Sequence, residues 1–494
     1  MNDINSVAIV GGGDNGLVAA LSLRERFPTA DITVIDDPDR PVSDVGKSTT
    51  NTFKDILHGY LRIDAGRFVS EVKPVWKMTI FFADWCGLEP FHLPFDETTL
   101  QPTVPSKQRF DVLTVRHRDN DFRTLGGELV ERGLTPFSND RGRIEVYEHF
   151  AYHLNTKRFN AFLRTLCGER DVEIVGDTID TVEVSDDRIT RIHGETIQYE
   201  ADLYVDASGF DRVLMEALDN EFVKFDHPLD SAVVTTVDLS LSEVVPATVL
   251  RSGEYGWFWQ IDTYDCRDLG YVYASEYTSH ASAAAEFVEC HEGVFTEDEV
   301  AHYRFQPGVL ERAWVSNCIA VGNALGFVEP LLSTALSVNA LLCSNLSKFL
   351  ADHGGINHPG VRTIYNDWAA AVWNDVYNID SLSYRCSAGD DGFWSAMKNA
   401  GRTEGVSGYL DPYQRNGFCS YDQLQDGPCA YPRYLMYRLI RGMGVRSAFY
   451  DRFDVEASLE AEEYVANHGK EVTQRVRNHL SYEEFYRREG GRSG

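Results

Sequence analysis

Lysine and net positive charge are scarce in this chain of 494 residues. Only ten of its 46 basic residues are lysine, and 76 acidic side chains bring the formal net charge to −30. A surface this acidic repels phosphate backbones and anionic headgroups, which excludes a general nucleic-acid or membrane binder. The acidity suits a protein kept soluble in concentrated salt, where screening removes self-repulsion, and it fits an ordinary acidic cytosolic protein equally well.

Paired cysteines, clusters of metal ligands and long apolar runs are also missing. The nine cysteines are scattered without a C-x-x-C pair or a cysteine–histidine cluster, so we expect neither a zinc or other metal site nor a disulfide framework. No apolar run reaches about 18 residues, and the first five residues carry no basic charge. We therefore expect a soluble, reduced, cytoplasmic protein.

Aromatic residues, by contrast, are abundant. The chain has 27 Phe, 24 Tyr and 8 Trp, which excludes intrinsic disorder. At about 150 residues per domain, the length predicts two or three domains or one large composite domain.

The N-terminus carries a nucleotide-binding pattern. Residues 7–10 predict a buried strand, residues 17–26 a helix and residues 32–35 a second strand, and Gly11, Gly13 and Gly16 form G-x-G-x-x-G between the first two. These glycines permit a tight turn, close approach of a pyrophosphate and close packing of the helix. Asp36 ends the second strand about 20 residues later, where it is placed to accept hydrogen bonds from a ribose.

Two later stretches favour FAD over NAD, which shares this fingerprint. Residues 201–209 and 319–324 each read as a buried strand with a small or polar exit. They resemble the second and third FAD-contacting motifs of flavin monooxygenases, which makes Asp206, Gly322 and Asn323 candidate cofactor residues.

The order of these strands predicts a discontinuous cofactor domain. We expect an α/β protein whose Rossmann-like FAD-binding domain, of the glutathione-reductase and flavin-monooxygenase type, spans residues 1–350. Substrate-side segments that include a sheet are inserted at about 85–145 and 215–300, and residues 351–494 form a mainly helical part that covers the substrate. Local patterns also predict a strand at 75–83 and helices at 149–166 and 333–350.

Several further motifs carry a more specific resemblance. Gly-Trp-Phe-Trp-Gln-Ile-Asp at 256–262 stands where one family has W-x-W-x-I-P, and residues 270–275, 312–318 and 329–334 continue the match. Together they resemble the flavin-dependent halogenases of the tryptophan-halogenase type over nearly the whole chain. Trp257 and Trp259 taken alone would equally fit core packing.

The resemblance implies a mechanism and a candidate catalytic lysine. In that family, reduced flavin from a separate reductase reacts with O₂, and chloride or bromide becomes hypohalous acid. A lysine between flavin and substrate then holds or captures the electrophilic halogen, and Lys77 occupies the matching position. An amine enclosed by Trp and Phe loses solvation and becomes a better hydrogen-bond donor or nucleophile, whereas a strand lysine that faces water would have no such role.

The resemblance also implies residues for the halide, the flavin and the substrate. Backbone N–H groups of Thr334 and Ala335 match the halide site, although the family commonly has Gly at the second position. The segment that links the flavin and substrate sites in the family corresponds to residues 45–51, with Lys47, Ser48 and Thr49 as candidate cofactor residues. His92 and Phe95 match the substrate strip, but such side chains on a surface loop would have no binding role.

Departures from the family pattern change the expected substrate. Leu332 replaces a Glu that assists the lysine in tryptophan-specific members, and Lys47 and Asn51 replace an acidic residue and a Pro. A phenol or another electron-rich ring, which needs less help from a base, therefore fits better than free tryptophan. A flavin hydroxylase and a non-catalytic flavin-binding protein stay open as alternatives. Many family members form homodimers, and the sequence neither supports nor opposes one here.

The acidity leads to a testable expectation. A field set by a charge of −30 opposes recruitment of a halide anion unless salt screens it to a few ångströms, as at about 1 M. Activity and thermal stability should therefore rise with halide salt well beyond saturation of a single site. A flat salt dependence in both measurements would reduce the acidity to a role in solubility.

Overall fold

The chain forms two compact units whose segments alternate along the sequence. A computed structural model describes residues 4–40, 45–95, 124–140, 143–353, 355–386, 392–400, 403–416, 433–445, 447–448 and 455–490. The first unit contains residues 1–73, 154–225 and 305–374, and the second contains 74–153, 226–304 and 375–494. Unit boundaries thus fall at 73/74, 153/154, 225/226, 304/305 and 374/375.

The first unit is built on a six-stranded sheet. Its strands lie in the order Val172–Gly176, Asp31–Asp36, Ser6–Val10, Leu203–Asp206, Cys318–Ala320 and Trp314–Val315. The first five are parallel and the last is antiparallel. Because helices cover a parallel sheet, its central strands are largely apolar, as the buried Val7, Ala8, Ile9 and Val10 illustrate. The predicted α/β class is confirmed.

Helices and short sheets complete this unit. The helices are Asp14–Arg26, Asn51–Asp55, Ala65–Val72, Thr156–Glu169, Ala335–Asp352 and the first half of Pro359–Arg385, with a π-helical turn at Ile56–Tyr60 and 3₁₀ turns at Gly209–Asp211, Met215–Ala217 and Gly322–Ala324. The small sheets comprise Ile179–Ser185 with Arg188–Gly194 and Gln198–Tyr199, and Phe222–Lys224 with Gly308–Leu310 and Gly326–Phe327. Lys47–Ser48 is a two-residue strand.

The second unit is built on a seven-stranded sheet. Its order is Ala301–Arg304, Ser231–Asp238, Cys266–Tyr273, Gly256–Asp262, Ala247–Ser252, Thr79–Asp84 and Phe91–Pro94. All neighbours are antiparallel except Ala247–Ser252 and Thr79–Asp84. The two tryptophans of the 256–262 motif are buried in its central strand, so core packing is one of their roles.

Smaller elements of the second unit surround this sheet. Strand Val75–Lys77 pairs with Ala151–Leu154, and His479–Ser481 pairs with Leu134–Asp140, which pairs with Arg143–Val146. The helices are Leu125–Glu131, His280–Cys290, Gly392–Asn399, Thr403–Asn416, Arg433–Gly442, Val455–Val476 and Tyr482–Gly490, with 3₁₀ turns at Leu241–Glu243 and Glu297–Glu299.

The helix predicted at 149–166 is wrong in its first part. Ala151–Leu154 forms a strand, and the helix begins only at Thr156. Asn155 explains the border, because its side-chain oxygen accepts a hydrogen bond from the backbone N–H of Arg158 at 3.1 Å and caps the helix there.

The strand predicted at 75–83 is two strands that meet at Met78. The Met78 N–H donates to the carbonyl of Pro246 at 2.8 Å, and its carbonyl accepts from the Phe95 N–H at 3.4 Å. Val75–Lys77 and Thr79–Asp84 therefore belong to different sheets, and Lys77 ends the first of them.

Two further features concern the residues that the structure describes. None of their helices combines the length and the apolar character needed to cross a bilayer. Seven cysteines among them are free, and no group of three or more His, Cys, Asp or Glu side chains in these ranges is arranged to hold a metal ion.

Candidate active site

The glycine loop borders a cavity of about 300 Å³ in the first unit. Gly11 has a φ of 117°, and a Cβ on it would lie 2.3 Å from the carbonyl oxygen of Ala207, so no side chain fits. A Cβ on Gly16 would lie 2.0 Å from the carbonyl oxygen of Gly11. Next to Gly13, however, a Cβ would meet no atom within 4 Å. The glycine loop therefore packs tightly against neighbouring backbone at Gly11 and Gly16. At Gly13, where the helix starts, it leaves open space.

This open space suits a phosphate group. Gly13 caps helix Asp14–Arg26 without a side-chain hydrogen bond, so backbone N–H groups of the first turn can serve a ligand. Helix N-termini attract anions through these N–H groups and through the helix dipole. The cradle at Gly13 and the cavity fit the pyrophosphate of a dinucleotide such as FAD.

An ion pair with a buried carboxylate lies beside this helix end. The side chain of Asp14 is 1% exposed, and its Oδ2 is 2.7 Å from Nζ of Lys47. Its Oδ1 accepts from Nδ2 of Asn160 at 3.0 Å. A lone carboxylate at this position would repel a phosphate, and Lys47, which also lines the cavity, neutralises it.

Asp36 also organises the glycine loop. Its Oδ1 accepts from the Gly12 N–H at 3.1 Å, and its other oxygen pairs with the guanidinium of Arg164. Arg164 in turn donates to the Gly12 carbonyl at 3.1 Å. Sequence reasoning missed Asp14, Asn160 and Arg164, although the spacing of the latter two by four residues places them on one helix face.

The segment of residues 45–51, here called the strap, is anchored to two parts of the first unit. At Lys47 it reaches the glycine loop through Asp14. At Thr50 its N–H donates to the Ser337 hydroxyl at 2.9 Å, which fixes it to helix Ala335–Asp352. Ser48 and Thr49 lie between these anchors, and Thr49 is fully buried.

The two later motifs are placed differently around the cavity. Asp206 is buried, and its carboxylate accepts from the Ser208 N–H and hydroxyl and from the N–H groups of Leu214 and Met215. It therefore shapes the turn after its strand, from which Ala207, Ser208 and Gly209 line the cavity.

Gly322 and Asn323 follow the neighbouring parallel strand. Gly322 has a φ of 60°, and its N–H donates to Oδ1 of Asn339 at 2.7 Å. Asn323 lines the cavity together with Gly11, Gly13, Asp36 and Lys47, whereas Gly16, Ser48, Thr49, Asp206 and Gly322 are not among its described lining residues.

The predicted halide residues start a long helix. Ala335 is the first residue of helix Ala335–Asp352, and Thr334 precedes it. Ser333 adopts a φ of 60°, and its N–H donates to the Pro330 carbonyl at 3.0 Å, so a tight turn presents the helix N-terminus. Leu332 is fully buried, which places an apolar side chain where we expect a carboxylate in tryptophan-specific members of the family.

Lys77 is the central feature of the second unit. It is fully buried, and burial lowers the pKa of its amine well below the ordinary value for lysine. Its Nζ lies 5.4 Å from the centre of the buried Phe95 ring. The reading of Lys77 as a strand lysine in water is therefore wrong, and Phe95 shares its environment.

A buried histidine lies on the same side of the strand pair as Lys77. Pairing sets Lys77 opposite Ala151 and Val75 opposite His153, so Lys77 and His153 are diagonal neighbours. His153 donates from Nδ1 to the Asp262 carbonyl at 3.0 Å, and its Nε2 accepts from the Thr248 hydroxyl at 2.9 Å. Burial, with a contribution from the charge of Lys77, lowers the pKa of His153 to about 3, so it stays neutral.

His92 belongs to a separate polar cluster. Its Nδ1 lies 3.0 Å from the Thr79 hydroxyl and its Nε2 lies 3.2 Å from a carboxylate oxygen of Glu131. Its ring stacks on Phe81 with centres 4.3 Å apart. The hydrogen bond from His92 lowers the pKa of Glu131. The structure thus brings Phe95 to Lys77, whereas the described contacts of His92 lie elsewhere.

Comparison with known proteins identifies the family. Residues 6–453 match the tryptophan halogenase family, which is most of the chain. The chain belongs to this family. The resemblance inferred from the sequence motifs is confirmed.

Individual relatives agree over nearly full length. The 7-chloro-L-tryptophan 6-halogenase KtzR of Kutzneria sp. (strain 744) is 29% identical over 472 residues, or 87% of each chain. Tryptophan 7-halogenase RebH of Lentzea aerocolonigenes is 27% identical over 439 residues, which cover 83% of this chain and 82% of that protein. The crystal structure of the tryptophan 5-halogenase MibH has a TM-score of 0.84 at 27% identity and covers 98% of this chain and 93% of that one.

These relationships test the predictions of the fold and of the enzyme class. The Rossmann-like FAD-binding fold and the prediction of a flavin-dependent halogenase, an oxidoreductase, are confirmed. Neither the hydroxylase nor the non-catalytic flavin-binding protein is favoured.

The Lys47–Asp14 pair predicts coupled effects on flavin binding. Lys47→Glu places two carboxylates together at the phosphate end of the helix, and we expect FAD affinity of the apoprotein to fall about five- to tenfold in a fluorescence titration. In an Asp14→Asn background the same change should cost clearly less, because the repelling carboxylate is gone. Lys348→Glu, which alters charge equally on helix Ala335–Asp352, is the control. Equal losses in both backgrounds would refute the coupling.

The buried amine of Lys77 predicts a pH-dependent stability difference. Because the pKa of Lys77 is lower in the folded state, the unfolded state binds more protons between the two pKa values, and stability rises with pH there. Lys77→Met should therefore melt above the parent chain at about pH 6, and the gap should narrow towards about pH 10. The exposed Lys224→Met should show no such trend. A constant gap for Lys77→Met would show that folding does not lower the pKa of the amine.

Proposed function

We propose that this chain halogenates a small electron-rich aromatic compound of the indole or phenol type, using FAD, O₂ and chloride or bromide. A separate flavin reductase supplies the cofactor in its reduced form. The single observation that carries this proposal is the fully buried Lys77 amine beside the Phe95 ring. An amine enclosed in this way matches a group that handles a reactive halogen away from water.

The cofactor residues of the proposal lie in the first unit. Gly11, Gly13 and the helix N-terminus hold the pyrophosphate, and Lys47 offsets the charge of Asp14 there. FAD, when bound, supplies the oxidising chemistry that makes halide electrophilic. The remaining candidate cofactor residues shape or border this region: Gly16, Asp36, Ser48, Thr49, Asp206, Gly322 and Asn323.

The halide is held by backbone N–H groups at the start of helix Ala335–Asp352. Thr334 and Ala335 present these donors after the turn at Ser333. Helix N-termini bind anions without a positively charged side chain, which suits a halide that must remain reactive.

Lys77 then directs the electrophilic halogen. Since burial lowers the pKa of the amine, more of it carries a free lone pair, which can take the halogen from hypohalous acid with water as the leaving group, or its N–H can polarise hypohalous acid. The apolar wall at Phe95 excludes water from the amine and accepts an aromatic ring.

The substrate class follows from the buried Leu332. Without a carboxylate at this position, the ring must release its proton with little help from a base. Electron-rich phenols and indoles meet this requirement. We further propose that the enzyme works in the cytoplasm, whose reducing conditions fit the free cysteines of the described part of the chain.

Halogenation can be tested directly. The holoenzyme is supplied with reduced FAD, O₂, bromide or chloride and a panel of indoles and phenols, and products are read by isotope pattern. We expect halide incorporation that falls at least about a hundredfold in Lys77→Ala, since the halogen carrier is removed. Lys77→Met, which keeps the volume of the side chain, controls for loss of packing.

Other results would contradict the proposal. Addition of oxygen without dependence on halide would indicate hydroxylation, and bound flavin with no turnover of any panel member would indicate a binding protein. Unchanged halogenation in Lys77→Ala would remove the proposed role of the lysine.

A further inference from the structure

An arginine with two unpartnered side-chain nitrogens is buried in the second unit. Arg438 lies on helix Arg433–Gly442 and is 5% exposed, and its Nε and Nη1 have no hydrogen-bond partner among the described residues. No carboxylate in the same ranges lies within ion-pair distance of it. Nε and Nη1 together carry three N–H donors, all unused.

The helix places this arginine towards the strand that carries His92. A Cβ on Gly442 would lie 2.2 Å from the ring of Phe91, so the helix backbone touches strand Phe91–Pro94 at this point. Arg438 is one turn before Gly442 and therefore lies on the same side of the helix. The other buried residues described on this helix and just after it are apolar and comprise Leu435, Met436, Leu439, Ile440 and Met443.

A buried guanidinium in this position is costly. A buried lysine such as Lys77 can lose its proton, but a guanidinium does not do so in proteins. Its charge must therefore be met by an anion, or the folded state keeps an unpaired charge in an apolar layer. An unpaired, buried guanidinium is typical of a group that binds an anionic ligand.

We propose that Arg438 binds a carboxylate on the aromatic substrate. The inference rests on the proposed function, because strand Phe91–Pro94 leads directly to Phe95 and so to the Lys77 amine. The substrate class narrows from electron-rich aromatics to aromatic carboxylic acids. Arg438 anchors the acid group and so fixes which ring carbon faces the amine.

The chemistry of the site favours a carboxylate over other anions. Guanidinium and carboxylate are planar and form paired hydrogen bonds, and one positive charge matches one negative charge. A phosphate would bring up to two charges, and among the described buried residues of this face no second basic group offsets the excess.

Matched substrates test the proposal. Indole-3-acetate is compared with 3-methylindole, and 4-hydroxyphenylacetate with 4-methylphenol, by calorimetric binding and by halogenation with the holoenzyme. We expect the acids to bind about 10- to 100-fold more tightly than their neutral partners. Arg438→Met should abolish this preference and leave binding of the neutral compounds within about threefold, whereas Arg441→Met on the same helix should preserve the preference.

Stability provides a readout that is independent of substrate. Removal of an unpaired buried charge should leave the melting temperature of Arg438→Met at or above that of the parent chain. A lower melting temperature together with an unchanged acid preference would show that Arg438 is structural and overturn the proposal. So would equal affinity of acids and neutral compounds in the parent chain. Tight binding of the acids without halogenation would instead refute the proposed function and leave the carboxylate site standing.

Discussion

A charge removed from water must be paired, neutralised or met by a ligand, and three buried side chains of this chain meet that requirement in different ways. Asp14 is paired with Lys47 and Asn160 at the start of a helix. Lys77 is fully buried, which lowers the pKa of its amine. Within the described residues, Nε and Nη1 of Arg438 have no hydrogen-bond partner. We propose that each of the three serves a different species: the cofactor, the halogen and the substrate.

In the strap, the charge of one residue that departs from the family pattern is balanced by a neighbouring side chain. Lys47 stands where the halogenase family has an acidic residue, which would place like charges beside Asp14. The basic side chain here forms the ion pair instead, and the anchor of Thr50 on Ser337 continues the connection to the helix of the predicted halide site. The departure at Lys47 is therefore compensated inside this chain by Asp14.

Much of the fold and part of the candidate site could be predicted from the sequence. Gly11 and Gly16 are required by close backbone contacts, and that requirement is visible as a motif. Lys77 was found because its surroundings resemble a family segment. The border at Asn155 was missed because an apolar run gave both strand and helix spacing, and only the cap and the pairing with Val75–Lys77 separate them. Arg438 was missed because its significance depends on a strand far away along the chain, although an arginine among leucines and methionines is itself an unusual sign.

The junction at Met78 has a mechanical consequence. The residue after Lys77 is held from two directions, by the carbonyl of Pro246 and by the N–H of Phe95, and so couples two sheets of the second unit. The amine is thus mounted on a fixed support rather than on a loop. Under the proposed function, residues that contact the ring of a substrate can change during evolution or engineering while the Lys77 nitrogen keeps its position, so the choice of ring carbon can be altered without moving the amine.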